Sequence, residues 1–138
     1  MVNIAVLVKQ VPDTNSKIQI TGDRVDLSSV KMDISPYDEF AVENALQHKE
    51  SGGGTVTAIT VGPAGADKVL KGVKALGVDN IVRLDFDGYM DSNGLQSVLA
   101  QEISSGGYDV VYCGKSAADT GAGSTGPGIA ERLGWGSV

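Results

Sequence analysis

Four β-rich runs alternate with helix-like stretches along this chain, and that alternation constrains the fold more than any other feature. The runs are Ile4 to Val8, Thr55 to Val61, Asn80 to Leu84 and Asp109 to Cys113. Strands separated by helices need crossover connections, which makes them parallel neighbours in one sheet with helices packed against it. The expected class is therefore α/β. The 138 residues are enough to close a core, and no domain-splitting linker or internal repeat interrupts them, so residues 1–138 are read as one domain. Between the first run and the first helix, Lys17, Ile18, Gln19 and Ile20 alternate, Gly22-Asp23 follows, and then Val25 and Leu27. That pattern predicts a small β-hairpin appended to the sheet.

The helices carry their own start and stop signals. Ser35 is a good N-cap, Pro36 suits the first helical position, and Asp38 stands where a capping box places its acid. Tyr37, Ala41, Val42, Ala45 and Leu46 form the expected buried stripe, and Gly52 to Gly54 end the helix. In the second helix Ala66, Val69, Leu70, Val73 and Leu76 recur at helical spacing before Gly77. A third helix is expected from about Ser92 to Ser104 with Leu95, Val98, Leu99 and Ile103 inward, and a short fourth near Ile129 to Leu133.

Composition then narrows the function. Lys and Arg total 11 against 17 Asp and Glu, a net charge of −6, which argues against a reader of nucleic-acid backbones. One cysteine, Cys113, cannot form an internal disulfide, which suits a cytoplasmic protein or, in a eukaryote, one of the mitochondrial matrix. Apolar runs are too short to span a bilayer, and the N-terminal residues enter a strand directly, so a soluble protein without membrane insertion or export is expected. His48 lacks a second ligand at metal spacing and reads as a surface residue. Asp85, Asp87 and Asp91 read as a solvated turn, Cys113 as a small buried residue, and Trp135 as a cover for a core edge. With one His and no Ser-His-Asp arrangement, the chain does not read as an enzyme.

Glycine is the compositional anomaly, 19 of 138, about twice the usual share of roughly 7%. Five fall between Gly114 and Gly128, after the last strand, among Ser, Thr and Asp. In open parallel sheets ligands bind at the carboxyl ends of strands, where loops and helix N-termini present amides. Four segments of this chain belong there: Lys9 to Asp13, Ser35 to Asp38, Val61 to Pro63, and Gly114 to Gly128. The last suits donors wrapped round a phosphate, yet it matches neither the P-loop nor the dinucleotide fingerprint. From the residues alone it is either a nucleotide-binding loop or a plain flexible one. Lys9 and Lys115 lie on the expected rim; Asp13 and Asp119 suit either ligand contact or loop structuring.

At these segments the chain resembles the β subunit of electron transfer flavoprotein. The stretches that carry the resemblance are VLVKQVPDTNSKIQI, VKMDISPYDEFAVENALQHKE, TAITVGP, VKALGVDNIVRLD and YDVVYCGKSAADTGAGSTGPGIAERLG, in the family's order from about Asn3 onward. The resemblance implies a Rossmann-like fold of the adenine-nucleotide α-hydrolase-like kind. It also implies a bound adenine nucleotide, AMP in ordinary carriers or FAD in electron-bifurcating ones, and pairing with an FAD-bearing α subunit. Through that complex, electrons would come from acyl-CoA or other flavin dehydrogenases. The family's nucleotide contacts would fall on Leu7, on Ser35, Pro36, Tyr37 and Asp38, on Val61, and on the loop of Gly114, Lys115, Ser116, Asp119, Thr120, Gly121, Ala122, Gly123, Ser124 and Thr125. Ser116, Gly121 and Ser124 stand where the family commonly has Gln, Asp and Gln, and Ser35 where it commonly has Asn. These changes shift recognition toward backbone amides and short hydroxyls. The family chain also runs on for roughly another hundred residues or more, the size of a further domain, so this sequence is expected to be the N-terminal part of a longer subunit. A different class, a stand-alone adenine-nucleotide sensor of the universal-stress type, shares the fold without a redox partner.

Overall fold

The computed structural model describes residues 1–138. A parallel sheet is built from β1 (Val2–Leu7), β6 (Gly54–Gly62), β7 (Asn80–Asp85) and β8 (Val110–Cys113), in the order β7-β6-β1-β8. The β1–β6 register aligns Ile4 with Val56 and Leu7 with Ile59; on the other side Leu7 aligns with Cys113. The chain thus winds outward from β1 through α1 (Pro36–Gly52) and α2 (Asp67–Ala75) to β7. It then returns through α3 (Ser92–Gly106) to the opposite side of β1, and α4 (Thr125–Leu133) follows β8. The reversal between β1 and β8 is the switch point at which open α/β sheets form their ligand crevice.

Strand periodicity sorts the core into two layers. Ile4, Val6 and Val8 face α1 and α2, where they pack with Ala41, Val42, Ala45, Val69, Leu70 and Val73. Ala5 and Leu7 face the other way, into Ile59, Leu99, Ala100, Ile103 and Ile129 beneath α3 and α4. β1 is therefore apolar on both faces, and β6 largely so apart from buried Thr57 and Thr60, as a sheet covered on both sides requires.

The expected helices form, with differences at their ends. α3 runs two residues past Ser104, and α4 starts at Thr125 rather than near Ile129. Tyr37 and Leu76 leave the predicted stripes and are exposed, because they sit at the ends of their helices, where no strand lies opposite. His48 is half-buried rather than on the surface: its Nδ1 lies 3.0 Å from the Tyr112 hydroxyl, between α1 and β8.

The hairpin also forms, from β3 (Gln19–Thr21) and β4 (Arg24–Asp26) across Gly22-Asp23. It is a separate two-stranded unit and does not hydrogen-bond to the main sheet. Its base is held by a second antiparallel pair, β2 (Gln10–Pro12) with β5 (Met32–Ile34). This pair brings Ser35 back to the end of β1, where its amide donates to the Lys9 carbonyl at 2.9 Å. No helix is long and apolar enough to cross a membrane.

Candidate functional site

The end of β1 leads straight from buried Val8 into Lys9, so the chain emerges at the sheet's carboxyl edge with a cation. There the Lys9 amide donates to Asp38 Oδ2 at 2.8 Å, and its Nζ pairs with Asp119 at 2.8 Å. Asp38 is consequently not the acid of a capping box. It lies in the first turn of α1, is only 7% exposed, and reaches across to the strand end. Burial pushes its carboxyl up to about 6, opposed by the amides of Lys9 and Gly114 and by the Lys9 charge. Ser35 likewise forms no side-chain cap. It is fully buried, and its Oγ accepts from the Ala118 amide at 3.1 Å, which anchors the Gly-rich loop to the start of α1.

The loop after β8 has three places where glycine is required, Gly114, Gly121 with φ of +62°, and Gly123. A Cβ on Gly114 would run into Asp38 Oδ1 and come within 2.8 Å of the Tyr37 Cβ, so only glycine lets β8 pass α1 here. Gly123, with φ of +65°, takes the left-handed turn that leads into α4. Between them the Gly121 amide donates to the Ala117 carbonyl at 2.9 Å, and the Thr120 amide to Asp119 Oδ1 at 2.8 Å. The loop is thus a folded arch rather than a slack connection.

Under this arch lies a cavity of about 250 Å³. Of the residues singled out in the sequence, Leu7, Lys9, Asp38, Val61, Gly114, Lys115, Ser116, Thr120, Ala122, Gly123 and Thr125 line it. The others stand behind or beside it. Ser35 and Asp119 hold the arch from outside, and Gly121 is one of its bends. Ser124 accepts from Gln96 Nε2 through its carbonyl at 3.1 Å. Pro36 and Tyr37 are exposed on α1. Asp13 shapes the turn after β2: its Oδ1 accepts from the Asn15 amide at 2.9 Å, and Lys31 lies 3.4 Å from its Oδ2. The Asn15 bond and then Lys31 hold its carboxyl below the usual range.

One wall escaped sequence reasoning. Tyr89, Met90, Asp91, Ser92 and Leu95, from the end of the β7–α3 connection and the first turn of α3, face the arch across the cavity, and Ile59 and Thr60 join Val61 in its floor. Asp91 is occupied as the N-cap of α3, accepting from the Gly94 amide at 2.8 Å. Position relative to a strand end, the signal used for the other four segments, applied equally to the stretch after Leu84. Cys113 also lines the cavity; burial, and then the charge of Asp38, push its thiol up, away from reactive thiolate chemistry. No group of three or more His, Cys, Asp or Glu is placed to hold a metal ion.

Residues 24–138 match the family model described as the electron transfer flavoprotein domain. The chain belongs to that family. It is 36% identical over 134 residues to an electron transfer flavoprotein subunit beta of Bacillus subtilis, covering 95% of this chain and 52% of that protein. It is 36% identical over 137 residues to an acryloyl-CoA reductase electron transfer subunit gamma of Anaerotignum propionicum, covering 94% and 51%. A third relative, protein FixA of Sinorhizobium fredii, is 35% identical over 139 residues, covering 95% and 49%. The chain therefore spans about half the length of these relatives. The first two are named as electron transfer proteins.

Proposed function

We propose that this chain is the nucleotide-binding part of an electron transfer flavoprotein β-type subunit, a carrier rather than an enzyme, and that the cavity at the β1/β8 switch point holds AMP. One observation carries the reading. Loops after β1, β6 and β8 converge on a cavity lined on one side by Lys9, Lys115 and Gly-rich backbone, with Asp38 beside them, and apolar in its floor. Lys115, the amides of Lys115 to Ala117 and of Ala122 and Gly123, and the hydroxyls of Thr120 and Thr125 suit a phosphate, which is doubly charged and needs several donors; Lys9 joins them on exchanging Asp119 for the phosphate. Val61 and Leu95 suit a flat, weakly polar ring, with Leu7 and the fully buried Ile59 packed behind them. The cavity continues past Cys113, Gly114, Lys115 and Gly123 into a second hollow, so AMP and FAD are told apart by the nucleotide released on denaturation.

Bound AMP has no redox chemistry of its own, so this chain's part is to use the nucleotide as a structural ligand that ties the arch to the sheet. Electron carriage then needs an FAD-bearing α subunit, with acyl-CoA or other flavin dehydrogenases as donors. The test is to denature the purified protein and identify any released nucleotide by mass and absorbance. AMP supports the reading. FAD would place the chain with the bifurcating type, and ATP without a flavoprotein partner would favour a sensor. No nucleotide, and none taken up at saturating AMP, would overturn it.

A further inference from the structure

We infer that Tyr89 is the base-recognition residue of the cavity, closing over the ring of a bound purine mononucleotide; this rests on the nucleotide reading above. Strand order sets the geometry. The arch follows β8 at one edge of the sheet and Tyr89 follows β7 at the other, three strand spacings or about 14 Å away at sheet level. The two ends of the site differ in chemistry. Lys115 and the loop amides stand at the β8 end, whereas the β7 end offers Tyr89 and Met90 beside the apolar floor of Ile59, Val61 and Leu95. A ligand satisfying both ends is elongated, anionic at one end and aromatic at the other, which describes a nucleoside monophosphate with its phosphate under the arch.

Tyr89 itself is 89% exposed although it lines the cavity. Gly88, at φ of +138°, makes the turn that presents it there. An aromatic ring left in water at a cavity mouth gains burial and offset stacking when a flat ring enters beneath it. Neighbouring Asp91 is held by Gly94 and Met90 packs near that same residue, so Tyr89 is the member of this wall without a structural task.

The test uses the full chain with AMP in calorimetry and with 2-aminopurine riboside 5′-monophosphate, whose fluorescence falls when its base stacks. Tyr89→Ala is expected to weaken AMP about tenfold and to relieve the quenching of the bound analogue, while Tyr89→Phe keeps both near the original values. Thermal unfolding should be the same for all three, since the ring is exposed. Unchanged AMP affinity or retained quenching in Tyr89→Ala would overturn the assignment and leave the nucleotide reading standing. A Tyr89→Phe variant as weak as Tyr89→Ala would overturn stacking in favour of the hydroxyl. Failure of the unaltered chain to bind either compound would overturn both readings, and would leave the exposed ring to be explained as a contact for another protein.

Discussion

The two ends of the parallel sheet are closed by the same device, a carboxylate accepting a backbone amide, with opposite consequences. At the amino end Asp79 accepts from the Val56 amide at 2.8 Å and pairs with Lys49 at 2.7 Å, and Asp109 accepts from the Asn3 amide at 2.8 Å. The Lys49 bond, then the Val56 amide, hold the Asp79 carboxyl below its ordinary value. At the carboxyl end Asp38 has a similar amide from Lys9, but the Lys9 ammonium turns away to Asp119, and burial dominates. The amino end is thus satisfied and closed. The carboxyl end keeps a buried carboxyl beside an open cavity.

The largest expected effect separates the two ends by function. Gly123→Asp puts a carboxylate into the arch at a left-handed position and is expected to weaken AMP about a hundredfold in calorimetry. Asp79→Ala, at the other end, should lower unfolding free energy by about 1–3 kcal/mol in denaturant titration, because it strands the Val56 amide and leaves Lys49 only the Gly77 carbonyl, while AMP affinity stays unchanged. If Asp79→Ala weakened binding as strongly as Gly123→Asp, the division of labour would fail.

The pH response sharpens the same contrast. Asp38 is protonated more readily folded than unfolded, so its contribution to stability is full below about pH 4 and declines as pH rises to about 6, by about 3 kcal/mol. Asp79 has the opposite sign: its contribution is present above the unfolded value near 4 and is lost as pH falls through its depressed folded value. Unfolding curves between pH 3 and 7 for Asp38→Asn should lack the decline between 4 and 6, and those for Asp79→Asn should lack the loss at low pH. A decline that persisted in Asp38→Asn would assign it to another group. The smallest effect is expected for Lys9→Met. It breaks a part-exposed ion pair with Asp119 and should cost about 0.5 kcal/mol of stability, with a few-fold loss of AMP affinity.

Much of this molecule is legible in its sequence because the governing signals are local. Four strands, four helices and the parallel sheet follow from periodicity and glycine stops, and the double-faced burial of β1 follows from an unbroken apolar run. What local signals misassign is the work of residues whose partners are distant. Ser35 and Asp38 look like caps, and an isolated helix would use them so. Folding instead brings the Ala118 amide, 83 positions away, to the Ser35 hydroxyl, and brings the β1 end to Asp38. The pairing of β2 with β5 was invisible because three-residue strands show no alternation.

The site shows the same division. The arch after β8 is apparent in the sequence as a glycine cluster, and their positions at strand ends put Lys9 and Val61 beside the same cavity. Ser124 and Asp119 belong to the arch's scaffold, a role that depends on Gln96 and Lys9 arriving from other elements. Tyr89 and Met90 carry no motif, and their place on the cavity depends on how α3 folds back over the sheet. The resemblance to electron transfer flavoprotein β subunits pointed to the same edge of the sheet and was silent about that wall.

On the proposed reading the carboxyl edge of the sheet, and not the amino edge, takes up an adenine mononucleotide. A two-dimensional amide NMR map of the full chain titrated with AMP tests it most directly. Saturable shifts are predicted at the amides of Lys9, Val61 and Gly114 to Thr125, with none at Asn3, Val56, Asp79 or Asp109. An unchanged map at saturating AMP, or shifts centred on the amino edge, would contradict the account.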